Sequence, residues 1–230
     1  MTQEAPGPSA AVAPREDLAR TARERGNLYA FLAALYRQEP TAAFLREIRD
    51  AAFLDLLSRA GVHFDAAFLD RSDDELALDL AVEYTRLFIG PGKHVSPHES
   101  VQRGEGDGSL WGAETSEVWR FIEASGFAFR PTYRGLPDHV SVELEFMGEL
   151  ARCESEAWAG GDGDAARNCR DLQRRFLAAH LGRWAAAFCR RVADRAEHCF
   201  YRELAGLTAR FIESEERALG GDAEAPDTAG

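Results

Sequence analysis

Glu83-Tyr84-Thr85-Arg86-Leu87-Phe88-Ile89-Gly90-Pro91-Gly92 and, further along, Leu136-Pro137-Asp138-His139-Val140-Ser141-Val142-Glu143-Leu144-Glu145-Phe146-Met147 decide how this chain is read. Each block joins a helical apolar pattern to a Pro/Gly break. In the first, Leu76, Leu80, Tyr84, Leu87 and Phe88 recur at helical steps until Gly90 and Pro91 stop the helix. In the second, Asp138 is expected to open a helix as its N-cap, with Val140, Leu144, Met147 and Ala151 on one stripe.

The same period extends outward from both blocks. Leu28, Phe31, Leu32 and Leu35 line a helix over 17–37 that Pro40 ends. Thr41 caps a further helix closed by Gly61, and Ser72 with Glu75 forms a capping box for the helix running to about Ile89. A helix resumes near Ala113, with Val118, Phe121 and Ile122 inward. Beyond the Gly160-Gly161-Asp162-Gly163 turn, helices are expected over 165–193, bent near Gly182, and over 196–219. Two segments break the regularity, 90–112 and 125–136, and the first is long for a connection inside a compact domain. No alternating β-branched run of useful length is present. The expectation is an all-α fold, a single-domain bundle of about seven to nine helices over residues 15–219. Its N-terminal part is 15–125, its hinge 126–137 and its C-terminal part 138–219; the tails 1–14 and 220–230 are expected to be disordered.

Composition agrees with this. The chain has 230 residues, 45% hydrophobic and 29% charged, enough for a real core in a soluble domain. Its 27 basic and 39 acidic residues give a net charge of −12, a field that repels nucleic acid and favours a cationic partner. Cys153, Cys169, Cys189 and Cys199 are widely spaced without a C-x-x-C pair, so buried free thiols are expected rather than zinc or disulfides. No apolar run reaches the ~20 residues that cross a bilayer, and residues 1–14 lack the features of a signal peptide. A cytoplasmic protein with no stable membrane insertion is the reading.

Several motifs invite chemistry. Gly90-Pro91-Gly92-Lys93 fails as a phosphate loop, since Leu87 stands where glycine is required and His94 where a hydroxyl is. His94, His98, His139 and Glu143 are candidate metal ligands, but a Gly/Pro-rich loop gives no register to hold His94 beside His98. Asp138 and His139 point apart as neighbours on an opening helix, and no nucleophile sits in a recognisable context. Glu143, Glu145 and Glu149 are expected on the exposed face of their helix, where Asp138 and Glu83 would extend an anionic surface. Trp111, Phe127, Phe129 and Tyr133 fall in or beside breaks, where ordinary connections are polar. Aromatic rings beside carboxylates suit a ligand that is both hydrophobic and basic.

Glu83-Tyr84-x-x-Leu87-Phe88-x-Gly90-Pro91, then Pro97-x-Glu99-Ser100, then Pro137-Asp138-His139-Val140-x-x-Glu143-Leu144-x-Phe146-Met147 resemble the successive blocks of the TorD/DmsD/NarJ chaperones. The resemblance implies an all-helical, cytoplasmic chaperone without catalytic residues or cofactor. Its partners would be the apo catalytic subunit of a molybdopterin-containing oxidoreductase of the dimethyl sulfoxide reductase type and that subunit's twin-arginine leader. The chaperone would assist cofactor insertion and delay export until folding is complete. Carried over residue by residue, Pro137, Asp138 and His139 would bind the leader. Tyr84, Phe88, Pro91 and Glu99 would share its groove, with Glu143, Trp111 and Tyr133 as charged and aromatic contacts. The oligomer would be a monomer or a dimer swapped across 125–136. Two other readings compete: a small helical metal protein or enzyme using His94, His98, His139 and Glu143, and a helical regulatory protein for a different ligand.

Overall fold

The computed structural model describes residues 14–104 and 109–221. Among them are eleven α-helices, a π-helical turn, a 3-10 turn and no β-strand. In order they are α1 Arg15–Arg37, α2 Ala42–Ile48, α3 Ala51–Arg59, α4 Ala66–Leu69, α5 Asp73–Tyr84, the π turn Thr85–Ile89 and α6 Glu99–Arg103. After these come α7 Ala113–Ala124, α8 Val140–Gly160, α9 Gly163–Ala179, the 3-10 turn Leu181–Arg183, α10 Ala185–Arg195 and α11 Cys199–Gly220. The all-α expectation holds; the count exceeds it because short helices occupy stretches read as continuous helix or as loop. The tails read as disordered lie outside the described residues apart from Pro14, Gly220 and Gly221, and Gly220 is still helical.

Local chemistry sets most boundaries. The Thr41 side chain accepts from Phe44 N–H, and the Ser72 hydroxyl accepts from Glu75 N–H while donating to the Glu75 carboxylate at 2.8 Å. The single helix expected between Thr41 and Gly61 is two, because the Asp50 carboxylate accepts from Ala52 and Phe53 N–H and so starts α3 afresh. Gly161, at φ 81°, ends α8 in the left-handed conformation that glycine tolerates without strain.

The long helix α1 lies along α8 and so joins the first described helix to the second half of the chain in one core. Gly26 and Gly148 make that approach possible. A Cβ on Gly26 would meet the Gly148 carbonyl oxygen at 3.3 Å, and one on Gly148 would meet the Tyr29 Cβ at 3.2 Å. Around this crossing, Tyr29, Leu32, Phe146, Phe176, Phe188 and Phe200 are fully buried, so one hydrophobic cluster draws on both sides of segment 126–137. Burial of aromatic side chains on this scale supplies the main favourable term for folding. Cys169, Cys189 and Cys199 are buried and Cys153 partly so, all as free thiols. Among the described residues, no helix is long and apolar enough to cross a membrane.

Candidate functional site

Two irregular segments meet where the sequence blocks converge. A short antiparallel bridge joins His98 to His139: Glu99 N–H donates to the Asp138 carbonyl at 2.9 Å, and Val140 N–H to the Pro97 carbonyl at 2.8 Å. The bridge places the start of α6 beside the start of α8. It also assigns the caps differently from the sequence reading. His139, not Asp138, is the N-cap of α8, its Nδ1 accepting from Ser141 N–H at 3.2 Å. The Asp138 carboxylate instead accepts from Ser100 N–H at 3.0 Å and so holds the first turn of α6.

Behind the bridge lies a buried acidic cluster. Glu99, Asp138 and Glu143 are each 0% exposed, so Glu143 is not on the solvated face expected for it. That face belongs to its neighbours: Glu145 accepts from Thr132 and faces Arg37 at 3.6 Å, and Glu149 pairs with Arg152. The helix turns Glu143 inward, where the indole N–H of Trp184 donates to it at 3.1 Å. Glu99 is bound by Arg103 and by His180 Nδ1 at 3.1 Å. Asp138 Oδ1, Glu143 Oε1 and the Ser100 hydroxyl find no partner. Burial, then the charge of Glu99, pushes the Glu143 carboxyl well above the ordinary range. That direction and the orphan oxygen both favour the neutral, protonated form of Glu143.

Glu83 also leaves the expected anionic surface. Its buried carboxylate accepts from Glu197 N–H at 2.7 Å and from His198 N–H at 3.0 Å, fastening the chain that leads into α11. That function is structural and sits at the end opposite Phe88 in the same block.

In front of the bridge is an open cleft of about 680 Å³. Tyr84, Phe88, Ile89, His98, Leu110, Tyr133 and His139 form its apolar and aromatic wall, and Arg37, Gln38, Glu39 and Thr41 its polar lip. Tyr84 donates its hydroxyl to the Tyr36 carbonyl at 2.9 Å and packs edge-on against Phe88 with centroids 4.9 Å apart. Tyr133 stacks on His139 at 4.1 Å, and the His98 and His139 rings meet edge-on at 5.0 Å. Burial, then the neighbouring His98, lowers the His139 pKa to about 3, so the wall is neutral near pH 7.

The predicted residues therefore divide. Tyr84, Phe88, Tyr133 and His139 line the cleft, together with His94 and His98. Asp138, Glu99 and Glu143 stand behind it, and Pro137 leads into the bridge. Pro91 is exposed without lining the cleft, and Trp111 is 77% exposed beside the lining residue Leu110. Among the described residues, no group of three or more His, Cys, Asp or Glu side chains could hold a metal ion, so His94, His98, His139 and Glu143 do not make a ligand set. The lip residues Arg37, Gln38 and Glu39 went unread in the sequence, where their only signal was a polar run before the helix stop at Pro40.

The family model described as nitrate reductase delta subunit matches residues 37–190. A protein named Chaperone protein TorD from Shewanella loihica is 28% identical over 221 residues, covering 90% of this chain and 98% of that protein. Its namesake from Shewanella oneidensis is 27% identical over 209 residues, covering 85% and 90%. Another, from Shewanella sp. strain ANA-3, reaches 31% over 153 residues, covering 64% and 66%.

Proposed function

Because the chain belongs to the nitrate reductase delta subunit family, which takes in the TorD and NarJ chaperones, we propose that its cleft receives the twin-arginine leader of an apo-molybdoenzyme of the dimethyl sulfoxide reductase type. At the coarser level the chain is a redox enzyme maturation chaperone and not an enzyme. The finer reading places it in the cytoplasm, where it holds the client's catalytic subunit open to cofactor insertion and delays export.

The carrying observation is the composition of the cleft wall. Its rings and aliphatic side chains are neutral and half-sheltered, as an apolar helix or strand requires. The one carboxylate among its lining residues is Glu39, exposed at the lip and in no ion pair among the described residues, free to accept from a guanidinium. The buried Asp138, Glu99 and Glu143 serve such a site indirectly, by fixing the bridge that carries His98 and His139. Release needs no nucleotide: a client that folds around its cofactor withdraws the segment the cleft prefers, and the difference in affinity does the work.

Calorimetric titration of a synthetic twin-arginine leader into the full chain tests this. Tyr133→Ala removes the ring stacked on His139 and is expected to weaken binding about tenfold, or ~1.4 kcal/mol. Glu39→Gln should weaken the leader while leaving a leader with both arginines replaced by glutamine unaffected. Wild-type affinity in both variants, with unchanged helical content, would remove the cleft from leader recognition.

A further inference from the structure

The surface is acidic in sum, yet one corner reverses the sign. Arg190, Arg191 and Arg195 occupy exposed positions on α10, and the strap 90–98 brings up exposed Lys93, whose backbone carbonyl accepts from Arg195. Arg190 is paired with Glu213. Arg191 reaches only the amide oxygen of Gln102, and neither it, Arg195 nor Lys93 has a carboxylate partner among the described residues. The nearby carboxylates do not neutralise the corner: Glu197 faces Arg86 at 3.5 Å, and Asp194 is in no ion pair among the described residues.

An ordinary structural role covers part of this arrangement. The negative end of the α10 dipole favours a cation in its last turn, which accounts for Arg195. It does not account for Arg191 one turn earlier, where like charges four residues apart repel. Nor does it account for Lys93, which arrives on a different segment. Partial burial, then Arg195 and Arg190, lowers the pKa of Arg191. An anion placed among the three would relieve that crowding.

We propose that Lys93, Arg191 and Arg195 form a docking point for an acidic stretch of a partner polypeptide, on the outer side of the strap whose residues His94, Ser96, Pro97 and His98 line the cleft. Nucleic acid is the poorer fit. Three cations in a chain of net charge −12 make no stripe that follows a phosphate backbone. A cationic leader is repelled from this corner, so the acidic stretch is a second contact, separate from whatever enters the cleft. Two contacts joined through one partner raise its effective concentration at both.

The test is fluorescence anisotropy of a labelled octaglutamate peptide with the full chain, at about 50 mM and about 300 mM salt. Binding at low salt that falls at least tenfold both with added salt and in the Lys93→Gln, Arg191→Gln, Arg195→Gln triple variant is the expected result. Exposed positions keep that variant folded, which circular dichroism checks, and Arg59→Gln with Arg167→Gln should bind like the parent. No binding by the parent, equal binding by the triple variant, or tighter binding of a single-stranded octanucleotide than of the peptide would each overturn the proposal. Titrating the twin-arginine leader in parallel separates the two readings. Its affinity should survive in the triple variant, and its loss from the parent chain would count against the cleft alone.

Discussion

Two of the buried polar clusters among the described residues are built on opposite terms. In the first, Arg25 of α1 meets Glu154 of α8, Gln173 of α9 and Glu215 of α11. Its Nε and Nη2 donate to Glu215 at 2.9 and 2.7 Å, Nη1 to Glu154 at 3.0 Å and Nη2 to Gln173 at 2.6 Å. Gln173 in turn donates to Glu154 at 2.8 Å. In the second, Glu99, Asp138 and Glu143 share Arg103, His180 and Trp184, and two carboxylate oxygens are left without a donor. The satisfied network joins four long helices far from the cleft. The under-satisfied one stands directly behind it. Single orphaned groups occur elsewhere, the Tyr29 hydroxyl beside Glu215 among them, but only behind the cleft do two carboxylates of one described acidic cluster each leave an oxygen without a donor.

The largest effect should come from breaking the satisfied cluster. Burial works against the Arg25 charge, but the bonds to Glu215 and the field of Glu154 raise its pKa and keep it protonated. Arg25→Met removes the cation and strands the almost wholly buried Glu215, while Glu154 keeps Gln173 and Arg170. A loss of about 3–5 kcal/mol in denaturant unfolding is expected. A loss below about 1 kcal/mol would mean that the four helices are held by apolar packing alone.

The second cluster should respond to Glu143→Gln in the opposite way. The amide still accepts from Trp184 and can still donate toward Glu99, so the variant mimics the protonated acid. The sign follows from the raised pKa. Above 4.5, the ordinary value, the unfolded chain has released this proton while the folded chain retains it. Stability therefore declines as pH rises from 4.5 toward the folded pKa, by at most about 1.4 kcal/mol per pH unit. The variant should lack that decline and be the more stable protein near neutral pH. Parallel stability curves for the two proteins between pH 5 and 7 would show that Glu143 is ionised in the fold.

How much of this contrast was legible beforehand depends on the range of the interactions involved. Helices announce themselves through nearest-turn periodicity and caps, and Thr41, Ser72 and Gly161 act as their types suggest. The break at Asp50 was missed because the apolar pattern continues through it while one side chain restarts the helix. The site was harder. Tyr84, Phe88, Tyr133 and His139 could be named from blocks of sequence, but which side of the bridge each residue faces depends on His98 pairing with His139. That pairing joins positions far apart in the chain, and periodicity carries no information about it. Glu143 shows the cost: a carboxylate on a helix reads as solvated until Trp184 and Glu99 arrive from elsewhere. The Arg25 cluster, assembled from α1, α8, α9 and α11, was invisible for the same reason.

The smallest effect expected sharpens the boundary between cluster and cleft. His139 belongs to both, capping α8 with Nδ1 while Tyr133 covers its ring. Burial, then His98, depresses its pKa from 6.5 to about 3. Stability tied to this group is complete above 6.5 and is lost as pH falls toward 3, because the unfolded chain gains a proton that the folded chain refuses. His98, lowered by its own burial and opposed by Asp138, adds a loss of the same sign, so a single substitution removes only part of the slope. His139→Asn keeps an N-cap and has no charge to titrate. At pH 7.5 it should cost about 1 kcal/mol for the lost ring contacts. Between pH 6.5 and 5 that deficit should vanish and reverse by up to about 1 kcal/mol, because the parent destabilises more steeply than the variant, which keeps only the His98 part of the slope. A deficit unchanged across this range would place a protonated His139 inside the fold, and the neutral aromatic wall inferred for the cleft would then carry charge.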